Sequence, residues 1–90
     1  MSVRINIPHD WRHLTNDQTI VEVHSDTVGK CLDDLVGQFP KMRQGLFDKD
    51  GKLQNYVDIY VNRESFYPEE LAKQVEDGDE LHIMFLIGGG

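Results

Sequence analysis

Apolar residues change their spacing twice along this chain. In residues 3–7 and 21–23 every second residue is apolar, and the same alternation returns in 57–61 and 81–85. Between these stretches, residues 28–39 carry apolar side chains three and four positions apart. A spacing of two is typical of a half-buried strand, and a spacing near 3.6 is typical of an amphipathic helix. The sequence therefore predicts strands on both sides of one helix.

The helical stretch has clear start and stop signals. Thr27 or Asp26 can cap its first turn, because a short polar side chain accepts a hydrogen bond from a free backbone N–H. Pro40 disfavours helical backbone at the residue before it. We expect a helix from near Val28 to near Phe39 with one apolar stripe: Val28, Cys31, Leu32, Leu35, Val36 and Phe39.

The other segments are predicted to be connections. Pro8 ends the first strand, and the turn residues 15–18 lead into the second strand, which favours an antiparallel hairpin. Residues 41–55 are polar and contain a turn at 48–52, and residues 62–65 form a tight turn.

A hairpin, a helix and further strands form an α+β order, in which a helix packs across one face of a mixed sheet. Leu71 and Val75 add one short helical turn that Gly78 ends. We predict a β-grasp, or ubiquitin-like, fold with four to five strands and one main helix. The domain spans 1–87, and residues 88–90 form a flexible C-terminal glycine tail.

Composition disfavours several classes of protein. The net charge of −7 disfavours binding to nucleic-acid phosphates and favours a basic protein partner. No apolar stretch approaches the roughly 20 residues that cross a bilayer, and the N-terminus lacks the apolar centre of a signal peptide. The single cysteine is typical of a reducing compartment. We expect a cytoplasmic protein that binds neither nucleic acid nor membrane.

No set of residues indicates catalytic or metal chemistry of the chain's own. His9 and His13 lie four apart, but none of the four histidines joins a cysteine or carboxylate at ligand spacing. Cys31 lies on the apolar stripe, where a free cysteine behaves as a small hydrophobic side chain. We expect solvated histidines, an unreactive thiol and no metal.

Two further groups of residues are expected to have structural or surface roles. Trp11 and Phe66 lie in connecting segments, and we expect each to be partly buried at the edge of the core. Acidic residues adjacent in sequence are typical of a solvated surface, which can still contribute to docking: Asp33, Asp34, Glu69, Glu70, Asp77, Asp79 and Glu80.

The last strand carries apolar side chains on both faces. With residues 81, 83 and 85 facing the core, alternation places three residues on the outer face: His82, Met84 and Leu86. Exposed apolar side chains on an acidic surface mark a contact site, although isolated ones are also common. These three residues are the candidate docking residues.

Three segments and the end of the sequence carry a resemblance to a known family. "SDTVGKCLDDL" opens the helix, "VDIYVNRES" forms a strand and turn, "VEDGDELHI" leads into the last strand, and Gly89-Gly90 ends the sequence. This ordered set resembles the ThiS/MoaD family of ubiquitin-like sulfur carrier proteins over nearly the whole chain. The likeness is strongest to members that supply sulfur for cysteine synthesis.

The resemblance implies a protein co-substrate rather than an enzyme. A partner activating enzyme uses ATP to adenylate the carboxylate of Gly90, and a sulfur nucleophile then expels AMP to leave a thiocarboxylate. Gly88 and Gly89 thread the partner's active site, where a β-carbon would clash. The chain itself binds no cofactor.

The resemblance also implies two kinds of partner. An adenylating enzyme of the ubiquitin-activating type binds the outer sheet face with the candidate docking residues. A sulfur-accepting biosynthetic enzyme, such as a cysteine synthase or the large subunit of molybdopterin synthase, then takes the sulfur. The pathways that use such carriers are cysteine, molybdopterin, thiamin and tRNA thiolation.

Two other hypotheses stay open. In the second hypothesis the chain is a ubiquitin-like modifier joined through Gly90 to lysines of other proteins. In the third it is a non-covalent β-grasp interaction domain. A sequence that ends on Gly-Gly favours the first two functions over the third. Activation begins in the same way for a carrier and a modifier, so the residues do not separate them.

Overall fold

The computed structural model describes residues 2–86, and this part of the chain alternates strands with helical segments. Its strands and α-helices are β1 (Val3–Asn6), β2 (Ile20–Val23), α1 (Val28–Gln38), α2 (Arg43–Leu46), β3 (Val57–Val61), β4 (Glu64–Ser65) and β5 (Glu80–Phe85). Three 3-10 segments link them: His9–Thr15, Pro40–Met42 and Glu70–Ala72. The predicted domain boundary at 87 and the glycine tail 88–90 lie outside the described residues.

The strands form one mixed sheet in the order β2-β1-β5-β3-β4. The central pair is parallel, with Ile5 of β1 opposite Leu81 of β5. All other neighbours are antiparallel, including the predicted β1–β2 hairpin. The predicted α+β order with a mixed sheet is confirmed. The fifth strand, β4, lies in a segment that was predicted to be only a turn.

Helix α1 begins and ends where its signals predict. Thr27 has extended backbone and is the N-cap, since its side-chain oxygen accepts a hydrogen bond from the Lys30 N–H at 3.2 Å. The helix ends at Gln38, and the Phe39 N–H still donates to the Leu35 carbonyl. The stripe from Val28 to Val36 is buried in one core with the inner face of the sheet. Burial of each such aliphatic side chain stabilises the fold by roughly 1.5–3 kcal/mol.

The segment after α1 is more ordered than its polar composition predicts. Pro40–Met42 forms a 3-10 turn that leads into α2, and the side chains of Met42 and Leu46 are fully buried. The expectation of a polar connection was wrong here. Two apolar residues four apart are too few to reveal a helical period, and so short a helix depends on tertiary packing rather than on its own propensity.

The connection between β1 and β2 is also helical. Residues 9–15 form a 3-10 segment, and Trp11 and Leu14 within it pack against the core while remaining partly exposed. Phe66 takes a similar position in another connection. The expected partial burial of Trp11 and Phe66 is confirmed.

The turn predicted at 48–52 is held by a carboxylate. The side chain of Asp48 accepts hydrogen bonds from the backbone N–H groups of Asp50 and Lys52, at 2.8 and 3.1 Å. Gly51 within the turn has φ of +80°, a left-handed conformation that favours glycine. The local sequence therefore determines this turn.

The expectation that Glu70 lies on a solvated surface was wrong. Glu70 is 4% exposed, and its carboxyl group forms a hydrogen bond to Asp58, which is 3% exposed. Glu69, its sequence neighbour, is exposed as expected. Glu70 begins a 3-10 turn and Glu69 directly precedes it, and successive side chains of such a turn point in different directions. Adjacency in sequence therefore did not indicate a shared environment.

Candidate functional site

Strand β5 and the residue directly after it carry the candidate docking residues on the outer face of the sheet. Met84 is 42% exposed and Leu86 41% exposed, while His82 is half-buried. On the opposite face Leu81 and Ile83 are buried in the core. The alternation that the sequence predicts along β5 is therefore present. The docking role of these residues stays a prediction.

Two further exposed residues, one on this face and one bordering it, lie near β5. Tyr56, directly before β3, is 42% exposed, and its carbonyl accepts a hydrogen bond from the Leu86 N–H. Ile20 of β2 is 43% exposed, and it pairs with Asn6 of β1, which in turn pairs with His82. We call these exposed apolar side chains on and beside the outer face the outer strip: Ile20, Tyr56, Met84 and Leu86.

Sequence reasoning did not find Ile20 and Tyr56 as members of this strip. Ile20 is the first residue of β2, and Tyr56 directly precedes β3. Strand order and register place them near β5, and neither can be obtained from the alternation within one strand. The hairpin signal indicated that β1 and β2 are neighbours, and the predicted β-grasp fold places β1 beside β5, but neither prediction gives the register between these strands.

The end of β5 is held by backbone and ring contacts. The Leu86 N–H donates to the Tyr56 carbonyl at 2.7 Å. The Phe85 and Trp11 rings form a T-shaped contact, with centroids 4.9 Å apart and planes at 67°. The described chain therefore reaches its last residue still attached to the sheet. The predicted reactive residues Gly88, Gly89 and Gly90 lie outside the described residues.

Cys31 has the environment of an unreactive thiol. Its side chain is fully buried and its sulfur donates to the Ser25 carbonyl at 3.7 Å. Burial raises the pKa of the thiol from 9.0 to about 11, and the nearby charge of Asp34 contributes to the same rise. Because the thiolate is the nucleophile, the folded chain holds Cys31 in its unreactive form at neutral pH.

Two kinds of feature are absent from the described part of the chain. Among residues 2–86, no three or more histidine, cysteine or acidic side chains come together in a group that could hold a metal ion. None of the helices there has the length and apolar character that a bilayer-crossing helix needs.

The fold defines the class of this protein. One helix lies across a mixed sheet in which the first and last strands are parallel neighbours at the centre, the arrangement of β-grasp, ubiquitin-like proteins. The structure superposes on the CysO of the Amycolatopsis orientalis BexX/CysO complex with a TM-score of 0.87 and 30% sequence identity. That match covers 98% of this chain and 99% of the other.

The sequence comparisons identify the family within that class. The ThiS family model matches residues 5–90. The sulfur carrier protein CysO of Mycobacterium tuberculosis is 34% identical over 93 residues, which cover all of both chains. Small archaeal modifier protein 1 of Haloferax volcanii is 32% identical over 83 residues, which cover 90% of this chain and 92% of the other. The chain belongs to the ThiS family.

Proposed function

We propose that this protein is a sulfur carrier whose C-terminal Gly90 is converted to a thiocarboxylate. The observation that carries the proposal is the full-length similarity to CysO, a protein named a sulfur carrier, at 34% identity over all of both chains. The ThiS family match, which extends to residue 90, supports it. In this role the chain is a co-substrate of partner enzymes.

The chemistry begins with activation of a poor electrophile. An oxygen of the Gly90 carboxylate attacks the α-phosphorus of ATP on a partner enzyme, pyrophosphate leaves, and an acyl-adenylate forms. A sulfide or persulfide sulfur then attacks the carbonyl carbon and expels AMP. With a persulfide donor, a thiol must cleave the resulting acyl disulfide by reduction. The product is a thiocarboxylate that donates sulfur in a biosynthetic reaction of the cysteine, molybdopterin, thiamin or tRNA-thiolation kind.

Docking of the activating enzyme uses the outer face of the sheet. The outer strip supplies apolar area, and the net charge of −7 favours a partner with a basic surface. A CysO of Amycolatopsis orientalis has been solved in a complex with BexX. That complex supports a protein partner for this chain, with Met84, Leu86 and His82 as the contact residues of β5.

A second function is favoured by a specific relative. Small archaeal modifier protein 1 is similar to this chain over most of both sequences and is named a modifier. We therefore keep conjugation of Gly90 to lysines of other proteins as the alternative. It begins with the same adenylate, which a lysine amine attacks in place of sulfur. The third hypothesis, a non-covalent interaction domain, gains no support from the names of these relatives.

Intact-mass measurement tests the carrier function. Purified protein is incubated with its activating enzyme, ATP and a sulfide or persulfide donor. We expect a mass gain equal to the exchange of one oxygen for sulfur, located at Gly90 by fragmentation. Deletion of Gly90, or Gly89→Phe, should abolish the gain, because the shortened end misses the adenylation site and a large side chain blocks the approach.

A matched control uses a glycine elsewhere. Gly37 lies on the exposed side of α1, and a β-carbon there meets no atom within 4 Å, so Gly37→Ala should acquire sulfur at the wild-type rate. If the Gly90 deletion acquires sulfur as readily as the intact chain, the tail is not the reactive group. Isopeptide-linked adducts with no thiocarboxylate would instead favour the modifier function.

A further inference from the structure

Three segments that are distant in sequence meet at the end of β5. The Trp11 and Phe85 rings meet in a T-shaped contact with a centroid distance of 4.9 Å. Gly45 of α2 lies against the same indole, so closely that a β-carbon at residue 45 would come within 2.8 Å of Cζ2 and 2.9 Å of Cη2. Only a hydrogen fits between α2 and the ring. We call Trp11, Gly45 and Phe85 the exit clasp.

Tyr56 connects this clasp to the last backbone hydrogen bond of β5. Its carbonyl accepts from the Leu86 N–H at 2.7 Å, and its hydroxyl donates to the Gly45 carbonyl at 3.4 Å. The contacts therefore form a closed circuit that runs from Trp11 through Phe85, Leu86 and Tyr56 to Gly45, and back to the indole. Each member restricts the movement of the others.

A strand end without such support opens readily. Terminal pairs of a sheet have few buried contacts and fray at low cost in free energy. At the end of β5, Phe85 pairs with Val57, and its ring is only partly buried. The edge-to-face contact with Trp11 adds to the area that Phe85 buries. The exit clasp thus keeps β5 paired up to Leu86.

The clasp and the outer strip act on different steps of activation. Phe85 and Trp11 lie on the core side of the sheet, whereas Met84 and Leu86 project from the outer face. Loss of the clasp should leave Met84 and Ile20 of the outer strip in place, whereas Leu86 and Tyr56 take part in both the strip and the clasp contacts. The loss should alter where the chain leaves the sheet, and a misplacement of about 1 Å can slow a positioned reaction by roughly 100-fold.

We propose that Trp11 is a positioning residue for the activation of Gly90. Together with Gly45 it holds Phe85, so that the chain leaves the sheet beside Tyr56 in one direction and delivers its terminus to the partner's active site. This inference rests on the proposed sulfur-carrier function and adds to it a residue outside the tail and outside the docking face.

The first experiment needs only the protein itself. In Trp11→Ala and Gly45→Ala, the Leu86 amide should exchange with solvent deuterium roughly tenfold faster than in the wild type. The reference is the Asn62 amide, which donates to the Glu80 carbonyl at the other end of the same pair of strands. The exchange rate of the Asn62 amide should rise no more than the loss of global stability accounts for.

The two variants disturb the clasp in different ways. Trp11→Ala removes the ring and can also destabilise the core. Gly45→Ala retains the ring and displaces it, and alanine has the higher helix propensity, so α2 itself is not weakened. Trp11→Phe should restore part of the contact. Val23→Ala, a buried residue at the far end of the sheet, controls for a general loss of stability.

The second experiment measures adenylation by ATP–pyrophosphate exchange with the activating enzyme. We expect Trp11→Ala and Gly45→Ala to lower kcat about tenfold with KM within twofold of the wild type. Trp11→Phe should recover most of the rate, and Val23→Ala should match the wild type.

If kcat is unchanged in both clasp variants, the inference is wrong. A raised KM with unchanged kcat also overturns it, because that result would make Trp11 a contact of the partner enzyme. An unchanged Leu86 exchange rate also overturns it. If the wild-type protein is not adenylated at all, the proposed function itself has failed and this inference fails with it. The two failures are therefore distinguishable.

Discussion

At the residue scale, Glu70 carries a carboxyl group largely removed from water, since the residue is 4% exposed. Burial raises the pKa of its carboxyl group from 4.5 to about 7, and the hydrogen bond to Asp58 and the charge of that residue contribute to the same rise. Asp58 is already an acceptor, since its oxygens receive the Ile59 N–H at 2.8 Å and the Ser65 hydroxyl at 2.7 Å. A protonated Glu70 donates to Asp58, whereas an ionised Glu70 repels it.

This arrangement predicts a loss of stability as pH rises. Below pH 4.5 Glu70 is protonated in the folded and unfolded chains alike, so its contribution is complete. Between pH 4.5 and about 7 the unfolded chain ionises first, which lowers the free energy of unfolding. We expect Glu70→Gln to remove this part of the pH dependence, worth about 1–3 kcal/mol, because glutamine donates to Asp58 at every pH.

Urea denaturation at pH 5 and pH 8 gives the free energy of unfolding of the wild type and of Glu70→Gln, and the effect is the difference between the two proteins at each pH. The variant should gain stability relative to the wild type at the higher pH. Glu69→Gln is the matched control, because Glu69 is the exposed neighbour of Glu70, and it should follow the wild-type profile. Parallel profiles for Glu70→Gln and wild type would show that Glu70 does not titrate in this range.

At the scale of elements, the two faces of β5 have different environments. Leu81 and Ile83 are buried in the core, whereas Met84, and Leu86 directly after the strand, belong to the outer strip. A strand presents two environments in this way because successive side chains point to opposite faces. A substitution on the outer face is therefore expected to spare the core contacts.

Met84→Asp should weaken docking of the activating enzyme. A charged side chain at residue 84 must lose water when an apolar partner surface covers it. We expect KM for adenylation to rise at least about tenfold, which corresponds to about 1.4 kcal/mol of binding free energy, with kcat nearly unchanged. The unfolding midpoint should fall, because Met84 pairs with Asp58 across β5 and β3 and like charges on paired residues destabilise a sheet. Steady-state kinetics and urea denaturation check both parts.

Tyr67→Asp provides the control for this variant. Tyr67 is 67% exposed and lies in the connection between β4 and the 3-10 segment Glu70–Ala72, outside the outer strip. It should be adenylated at the wild-type rate. If Met84→Asp also shows wild-type kinetics, the docking surface lies elsewhere on the molecule.

At the scale of the whole molecule, the net charge of −7 acts on association. Charges spread over the surface attract an oppositely charged partner before contact, and salt screens them over about 10 Å at 0.1 M. We expect the association rate constant with the activating enzyme to fall several-fold between about 0.05 and 0.5 M salt. Stopped-flow measurements on the wild type check this, and a salt-independent rate constant would contradict it.

Much of the fold follows from local pattern. The period of two in β1, β3 and β5 and the period near 3.6 in α1 predict these elements, since one face of each must be buried. Thr27 and Asp48 stabilise their neighbours through hydrogen bonds within a few residues. Such short-range contacts form in the same way wherever the segment lies, so they can be inferred without the fold.

What the sequence by itself determined is therefore the main strands β1, β2, β3 and β5 and the helix α1, the buried face of each, the burial of Cys31 and the outward position of Met84 and Leu86. Only the tertiary structure decided which side chains of distant segments meet. It set the register of β1 on β5, brought Glu70 to Asp58, and packed Trp11 against Gly45 and Phe85. The spacing of apolar residues shows which side chains are buried, but it does not show which residues they contact. Those contacts come from segments distant in sequence, and the packing of the whole core decides them.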